Sequence, residues 1–286
     1  MIQSLKDDYP VNALCEALEV SRSGYYDWTR REPSARALER EKVIEQIRQI
    51  HLESDRTYGS PRIRNALLDE QITLNVKTVA KYMKQAQIQA KTHQRFKIST
   101  TDSNHDLPVF ENTLDRDFTA LAPNQKWLCD ITYIDTAEGF IYLATILDTF
   151  SRRIIGWSID DCLDRSLCID ALKSAIEGRK HLPGGLSSLI HHSDRGSQYA
   201  SKDYQRLLSD WDITVSMSRV GNCWDNAMME SFFGTLKTEL VYHENYQSKS
   251  EARGSVIGWI EGWYNRRRRH SAIGYKSPEQ FEAELN

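Results

Sequence analysis

The sequence predicts an α/β protein, a mixed sheet covered by helices on both faces and preceded by small all-helical modules. Three observations carry this. From Lys126 to Val241, short runs rich in β-branched and aromatic residues alternate with helical patterns. Upstream of Lys91 the apolar spacing follows the 3.6-residue period, with capping residues and no strand pattern. A carboxylate, Asp130, stands in the middle of the first β-rich run, where burial is unfavourable unless charge or hydrogen bonds compensate it.

At the N-terminus, Tyr9 to Trp28 reads as a helix, a turn and a second helix. Val11, Leu14, Cys15 and Leu18 are spaced for one buried face, and Ser21 is placed to cap the helix carrying Tyr25, Tyr26 and Trp28. This pattern fits a helix-turn-helix and a plain helical hairpin equally well. A polar stretch with Pro33 ends it. Next come a long helical pattern from Ala37 to Glu53, a turn at Tyr58-Gly59-Ser60-Pro61, a short helix through Leu68, and a helix from Val76 to Gln85. Residues Thr92 to Ala122 are polar and weakly periodic, with Asp102, Ser103, Asn104, Pro108 and Pro123 as breakers, and read as a linker. The expected division is therefore 1–35 and 36–91 for two helical modules, 92–122 for the linker, 123–242 for the α/β core and 243–286 for a helical extension with a basic run.

Within the core, strands are expected near Lys126 to Asp135, Phe140 to Asp148 and Arg153 to Ile159. A helix from Ser166 to Ile176, a fourth strand from Ser188 to His192, a helix from Ser201 to Leu208 and a strand from Ile213 to Met217 follow. A last helix runs from Asn226 to Val241, with Met229, Phe232, Phe233, Leu236 and Leu240 forming its buried stripe. Glu230 and Lys237 lie together on the flank of that stripe. Gly234 is beside them, where a missing side chain lets a nucleic-acid backbone come close. Glu239, on the same helix, reads as a solvated charge away from the acids.

Composition limits the classes of function. With 40% hydrophobic and 27% charged residues the chain is expected to be globular, and no run approaches a membrane span. Its first residues lack a signal-peptide pattern, so the expected location is the cytoplasm. Five scattered cysteines without a Cys-x-x-Cys pair argue against a disulfide framework or a zinc site. The formal charge of −3 and a pI near 6.3 do not advertise a nucleic-acid binder, but the distribution does better than the total. Between Gln71 and Thr101 stand Lys77, Lys81, Lys84, Lys91, Arg95 and Lys97 with no acid, and Arg266 to His270 forms a second basic run. Such stripes either meet phosphates or are solvated helix faces.

The chemistry is carried by Asp130, Asp194 and Glu230, with 35 residues between the last two. A lone acid in a strand or on a helix is ordinarily a solvated or paired charge. Three in this order, on the first strand, just past the fourth strand and on the following helix, suit a pair of Mg²⁺ ions on a phosphodiester, because that ion is held by few carboxylates plus phosphate oxygens and water. His191 and His192 beside Asp194 are read as support rather than ligands, and Asp148 as a sheet-end residue rather than a fourth ligand. Arg195, Gly196 and Gln198 are candidates to touch a substrate backbone. Trp224, in the loop before the Glu230 helix, is a candidate to anchor the loop or a base.

The strings WLCDITY around Asp130, HHSDRGSQY around Asp194 and DNAMMESFF around Glu230 resemble the three-carboxylate (DDE) core of integrases and transposases. The likeness is greatest to OrfB-type transposases of insertion-sequence family three and runs from about Trp127 to Pro278. The tail from Trp263 to His270 resembles the Tyr-Asn-x-x-Arg-x-His signature of that family, with Ile273 where the family often has Leu. The resemblance implies a ribonuclease-H-like integrase core with Mg²⁺, replaceable by Mn²⁺. It also implies cleavage of double-stranded DNA at terminal inverted repeats, strand transfer into target DNA by direct transesterification, and a homo-oligomer, at least a dimer on DNA. A circular intermediate and an upstream-frame (OrfA) product or fusion belong to the same expectation. Thr78, Lys81 and Tyr82 would then face DNA, as would Lys237, Asn265, Arg268 and His270 where they do not close the fold. Two alternatives are a ribonuclease-H-like nuclease of another kind and a non-catalytic DNA-binding regulator derived from a transposase.

Overall fold

Six helices open the chain: α1 (Ile2–Leu5), α2 (Val11–Ala17), α3 (Arg22–Arg30), α4 (Ala35–Glu53), α5 (Ser60–Asp69) and α6 (Val76–Gln85). This computed structural model describes residues 1–91, 109–182, 185–219 and 223–285, the side chains of Cys223 and Trp224 excepted. The short α1 has no counterpart in the sequence reading. Its four residues are too few to show a period. Side chains of Ser21, Ser34 and Asn75 accept backbone amides at the starts of α3, α4 and α6, so the capping residues set these boundaries. Ile47, Ile50, Tyr58, Ile63, Leu67, Val79 and Met83 gather α4, α5 and α6 around one small core.

The sheet begins with an antiparallel meander of β1 (Lys126–Ile134), β2 (Ile141–Asp148) and β3 (Ile154–Asp160). Helix α7 (Arg165–Arg179) crosses to β4 (Ile190–Ser193), and α8 (Lys202–Asp210) leads to β5 (Thr214–Met217), each parallel to its neighbour. The strand order is β3-β2-β1-β4-β5. Helices α9 (Ala227–Glu239), α10 (Lys249–Ile257) and α11 (Pro278–Ala283) complete the chain, with a π-helical segment at Gly258–Tyr264 continuing α10. No helix of the described residues is long and apolar enough to cross a membrane.

Strand alternation divides the core into two layers. Trp127, Cys129, Ala144 and Ile146 pack on α7 and α8, whereas Leu128, Ile134, Leu143 and Leu147 pack on α9, α10 and the π-helical segment. Asp130, two residues from Leu128, is on the α9 side. Gly156 in β3 lets α7 lie close, since a Cβ there would come within 2.4 Å of the Ala171 carbonyl oxygen. At the end of β2, Asp148 is buried and accepts the amides of Asn124 at 2.9 Å and Phe150 at 3.0 Å. Burial pushes its carboxyl up to about 6. It ends the sheet, as its sequence position suggests.

The tail closes the fold. The side-chain amide of Asn265 accepts from Ile154 N at 3.0 Å and donates to Ile154 O at 2.9 Å, standing in for a neighbouring strand at the edge of β3. Arg268 is buried and bidentate on Glu239 at 2.7 and 2.9 Å. His270 is buried against Tyr264. Of the two roles expected for Asn265, Arg268 and His270, these placements are the fold-closing one, all three being buried. One reading is corrected: Glu239, 5% exposed, is an internal ion-pair partner rather than a solvated charge. The neighbours of Arg268 are also engaged, Arg269 with Asp69 and Arg266 with Glu279.

Contacts also join these parts of the chain to one another. Tyr58 donates to the Arg267 carbonyl at 3.1 Å and accepts Arg269 N at 2.9 Å, and Arg62 reaches Glu239 at 3.4 Å, so the second helical module is seated on the tail. Residues 109–122 are not a free linker. Leu114 is 2% exposed, its amide is bound by Ser216, and Glu111 O accepts Met217 N, so this segment lies along β5.

Candidate active site and nucleic-acid face

The site grows from the centre of the sheet. In the parallel pair, Leu128 is level with His192, so Asp130 in β1 and Asp194 just beyond β4 come level across the strand ends. α9 lies over the same face and carries Glu230, which is exposed. The charges feel one another. Burial first, then the negative charges of Asp194 and Glu230, push the Asp130 carboxyl well above the usual carboxylate range, while the Ile131 amide at 2.8 Å and Lys237 act in the opposite direction. Lys237 sits with its ammonium 4.8 Å from the centre of the Tyr133 ring, its pKa lowered by burial and supported by Asp130. Among the described residues no three His, Cys, Asp or Glu side chains close into a cage for one ion. The acids are neighbours, not a preformed coordination shell.

Asp194 is held by its own loop, its Oδ1 accepting Gly196 N at 2.9 Å. A side chain at Gly196 would press on that oxygen, because a Cβ there lies 3.0 Å from it and 3.1 Å from Gln198 Oε1. Arg195 Nε donates to the Ser218 carbonyl at 2.7 Å, and Gln198 is half-buried beside it. His191 shares a hydrogen bond of 2.9 Å with the Tyr204 hydroxyl. His192 sits between Ser216 at 2.8 Å and Ser218 at 3.0 Å. Burial lowers the two imidazoles to about 3 and about 4, and both support the strand that delivers Asp194.

Sequence reasoning missed the residues that hold α9. Asp225, just before it, has a fully buried carboxylate that receives Arg219 at 2.9 Å, Arg116 at 3.0 Å and Asn112 at 2.9 Å, and these partners hold its pKa below the usual carboxylate range. Asn226 donates to the Cys129 carbonyl at 3.1 Å, tying the start of α9 to the strand position next to Asp130. An acid and an amide before a helix suggest a cap. Arg219 is only six residues upstream, but Arg116, Asn112 and Cys129 lie about a hundred residues upstream and leave no local signal.

On the helical module, Lys77, Lys81 and Lys84 are exposed along one side of α6, with Thr78 and Tyr82 half-buried beside them. A cleft of about 350 Å³ joins Lys81 and Tyr82 to Arg36 and Arg40 of α4. Lys91 is instead paired with Asp55 at 2.7 Å. Arg95 and the side chain of Trp224 lie outside the described residues.

Residues 120–223, which include Asp130 and Asp194, match the integrase core domain family, and 211–278, which include Glu230, match a second integrase core domain family. Residues 38–96 match the HTH-like domain family. Fold and matches together define an enzyme with an integrase catalytic core. Over 283 residues the chain is 41% identical to the transposase InsF for insertion sequence IS3A of Escherichia coli (strain K12), covering 98% of this chain and 96% of that one. It is 40% identical over 268 residues to the insertion element IS600 uncharacterized 31 kDa protein of Shigella sonnei, covering 94% and 97%. Among solved structures it is similar to a chain of the simian T-cell lymphotropic virus intasome in complex with PP2A regulatory subunit B56 gamma, at 19% identity and a TM-score of 0.48, covering 77% and 70%. The chain belongs to the transposases of IS3-type insertion sequences.

Proposed function

We propose that Asp130, Asp194 and Glu230 are the catalytic carboxylates, cutting double-stranded DNA at the element's terminal inverted repeats and joining the freed 3′ end to target DNA by direct transesterification. The observation that carries this is the placement of Asp130, a half-buried carboxylate in β1 that feels the negative charges of Asp194 and Glu230, with the Ile131 amide and Lys237 opposing them. Such an all-oxygen donor set suits Mg²⁺, with Mn²⁺ able to replace it, and the like charges are what a cation relieves. A pair of ions held by the three acids would activate the attacking oxygen and stabilise the leaving one. The chain's own part is positional. β1 and the Asp194 loop hold two acids level, α9 sets the third against them, and Lys237 meets a phosphate oxygen beside Gly234.

Lys77, Thr78, Lys81, Tyr82 and Lys84 are the proposed DNA contacts of the helical module, Arg195 and Gln198 those of the core, with Arg95 and Trp224 retained from the sequence. The working form is a homo-oligomer, at least a dimer on DNA, since joining two element ends takes two active sites; an upstream-frame product and a cytoplasmic location belong to the same reading. The test is cleavage and joining of an end-containing oligonucleotide in Mg²⁺. Asp130→Asn is expected to abolish both steps while still binding the DNA. Cleavage by Asp130→Asn at the wild-type rate would overturn the assignment. For the assembly, mixing Asp194→Asn with a Lys81→Ala/Lys84→Ala chain should restore joining, and a mixture that stays inactive argues against shared work between subunits.

A further inference from the structure

A second polar pocket lies against the side of α9 that carries Met228, Ser231, Phe232 and Thr235. It has a volume of about 120 Å³, and its wall includes Arg62 of α5, Arg152 of the β2–β3 turn, Arg268 and His270 of the tail, and Ser231 and Thr235 of α9. The charge there is unbalanced. Among the described residues, Glu239 is the carboxylate paired with Arg268 and Arg62, and Arg152 has no ion-pair partner. All three cations act on one point. Burial first, then Arg268, Arg62 and Arg152, lower the His270 imidazole to about 2, which keeps it neutral. Arg268 is buried with its fork on Glu239, so it forms a fixed floor, while Arg62 and Arg152 have donors to spare.

The surface of α9 links the pocket to Glu230. With about 100° between successive residues, Gly234 and Ser231 lie between Glu230 and Thr235 on the helix surface. Both are exposed, and a Cβ at Gly234 would meet nothing within 4 Å. A strand that crosses α9 from Glu230 over Gly234 and Ser231 meets no side chain at Gly234 on its way round the helix to the arginines. Guanidinium groups with free edges bind phosphate oxygens well, and two hydroxyls on the wall add donors.

We propose that this pocket is a phosphoryl-oxyanion subsite, filled by a backbone phosphate of the DNA strand engaged at the acids, where that strand continues across α9, or by free phosphate. The DNA source rests on the proposed active site; the oxyanion chemistry does not. The test uses the full chain without added metal, with its histidines labelled for NMR and the His270 ring signal assigned by its loss in His270→Asn. The probes are inorganic phosphate and a single-stranded oligothymidylate. Both are expected to shift the His270 signal saturably, and Arg152→Gln should weaken each response at least about tenfold, the worth of one charge-assisted hydrogen bond. Arg152→Lys should restore part of it. Glu230→Gln should leave the response unchanged while strand cleavage is lost, which separates this site from the active-site reading. A response to phosphate alone keeps the oxyanion site and rejects the strand as its source. No saturable shift with either probe, or an equal shift in Arg152→Gln, overturns the proposal.

Discussion

The two ends of α9 carry acids that look alike in the sequence and do opposite work in the fold. Toward its start Glu230 is exposed and faces Asp130 across the sheet end. At its close Glu239 is 5% exposed and clasped by Arg268, with Arg62 of the helical module adding a longer contact at 3.4 Å. Just ahead of the helix a third acid, Asp225, is clasped by Arg219 and Arg116. The helix is therefore pinned at both ends by buried carboxylates, and the acid between them is left open. The lesson is that a helix can hold one carboxylate in water against like charges only when other interactions fix where it lies.

The sharpest way to break this comparison is at Glu230. Glu230→Gln is expected to lower strand cleavage by at least about a thousandfold, since charge stabilisation dominates phosphoryl transfer, with no loss of stability or DNA binding. End-cleavage rates in Mg²⁺ beside a denaturant titration check it, and near-normal cleavage would remove Glu230 from the site. Glu239→Gln should do the reverse. Leaving Arg268 buried and unbalanced costs about 3 kcal/mol, read as a lower denaturant midpoint, and an unchanged midpoint would mean the clasp is idle.

A smaller effect separates the two basic runs. Lys81→Ala with Lys84→Ala should weaken DNA binding and reduce its salt slope by about one unit per lost phosphate contact, whereas Arg266→Ala, already engaged with Glu279, should leave the slope unchanged. Equal slopes throughout would make the α6 lysines a solvated face. The smallest effect is on pH. Because its partners hold Asp225 below the usual 3.8, the folded chain resists protonation there more than the unfolded chain does, so this stabilisation is present above about pH 4 and lost as the pH falls below it. The gap in melting temperature between the wild type and Asp225→Asn should narrow between about pH 5 and about pH 3. A constant gap would show that the Arg219 and Arg116 pairs add no stability.

The elements were legible because their signals are local. The strand periodicity from Lys126, the caps at Ser21 and Asn75, and the apolar stripe of α9 each lie within one element. The sequence also marked Asp130 and Glu230 as unusual, one by its apolar surroundings and the other by its place on the flank of a buried stripe. It misjudged Glu239, because nothing near that residue announces an arginine 29 positions away. It also took residues 109–122 as linker, since a polar segment packed by its backbone on an edge strand has the composition of a loop.

By itself, then, the sequence determined the order of strands and helices in the core, the stripe that α9 buries, and which carboxylates sit at strand and helix positions suited to a shared site. Tertiary structure alone decided that Asp130 and Asp194 come level, that Arg268 turns inward to Glu239 while Lys81 stays outside, and that Arg62, Arg152 and Arg268 converge beside α9. The physical reason is range. Periodicity and capping act over a few residues, whereas ion pairs, desolvation and the repulsion among acids depend on distances that exist only after the sheet has brought remote segments together.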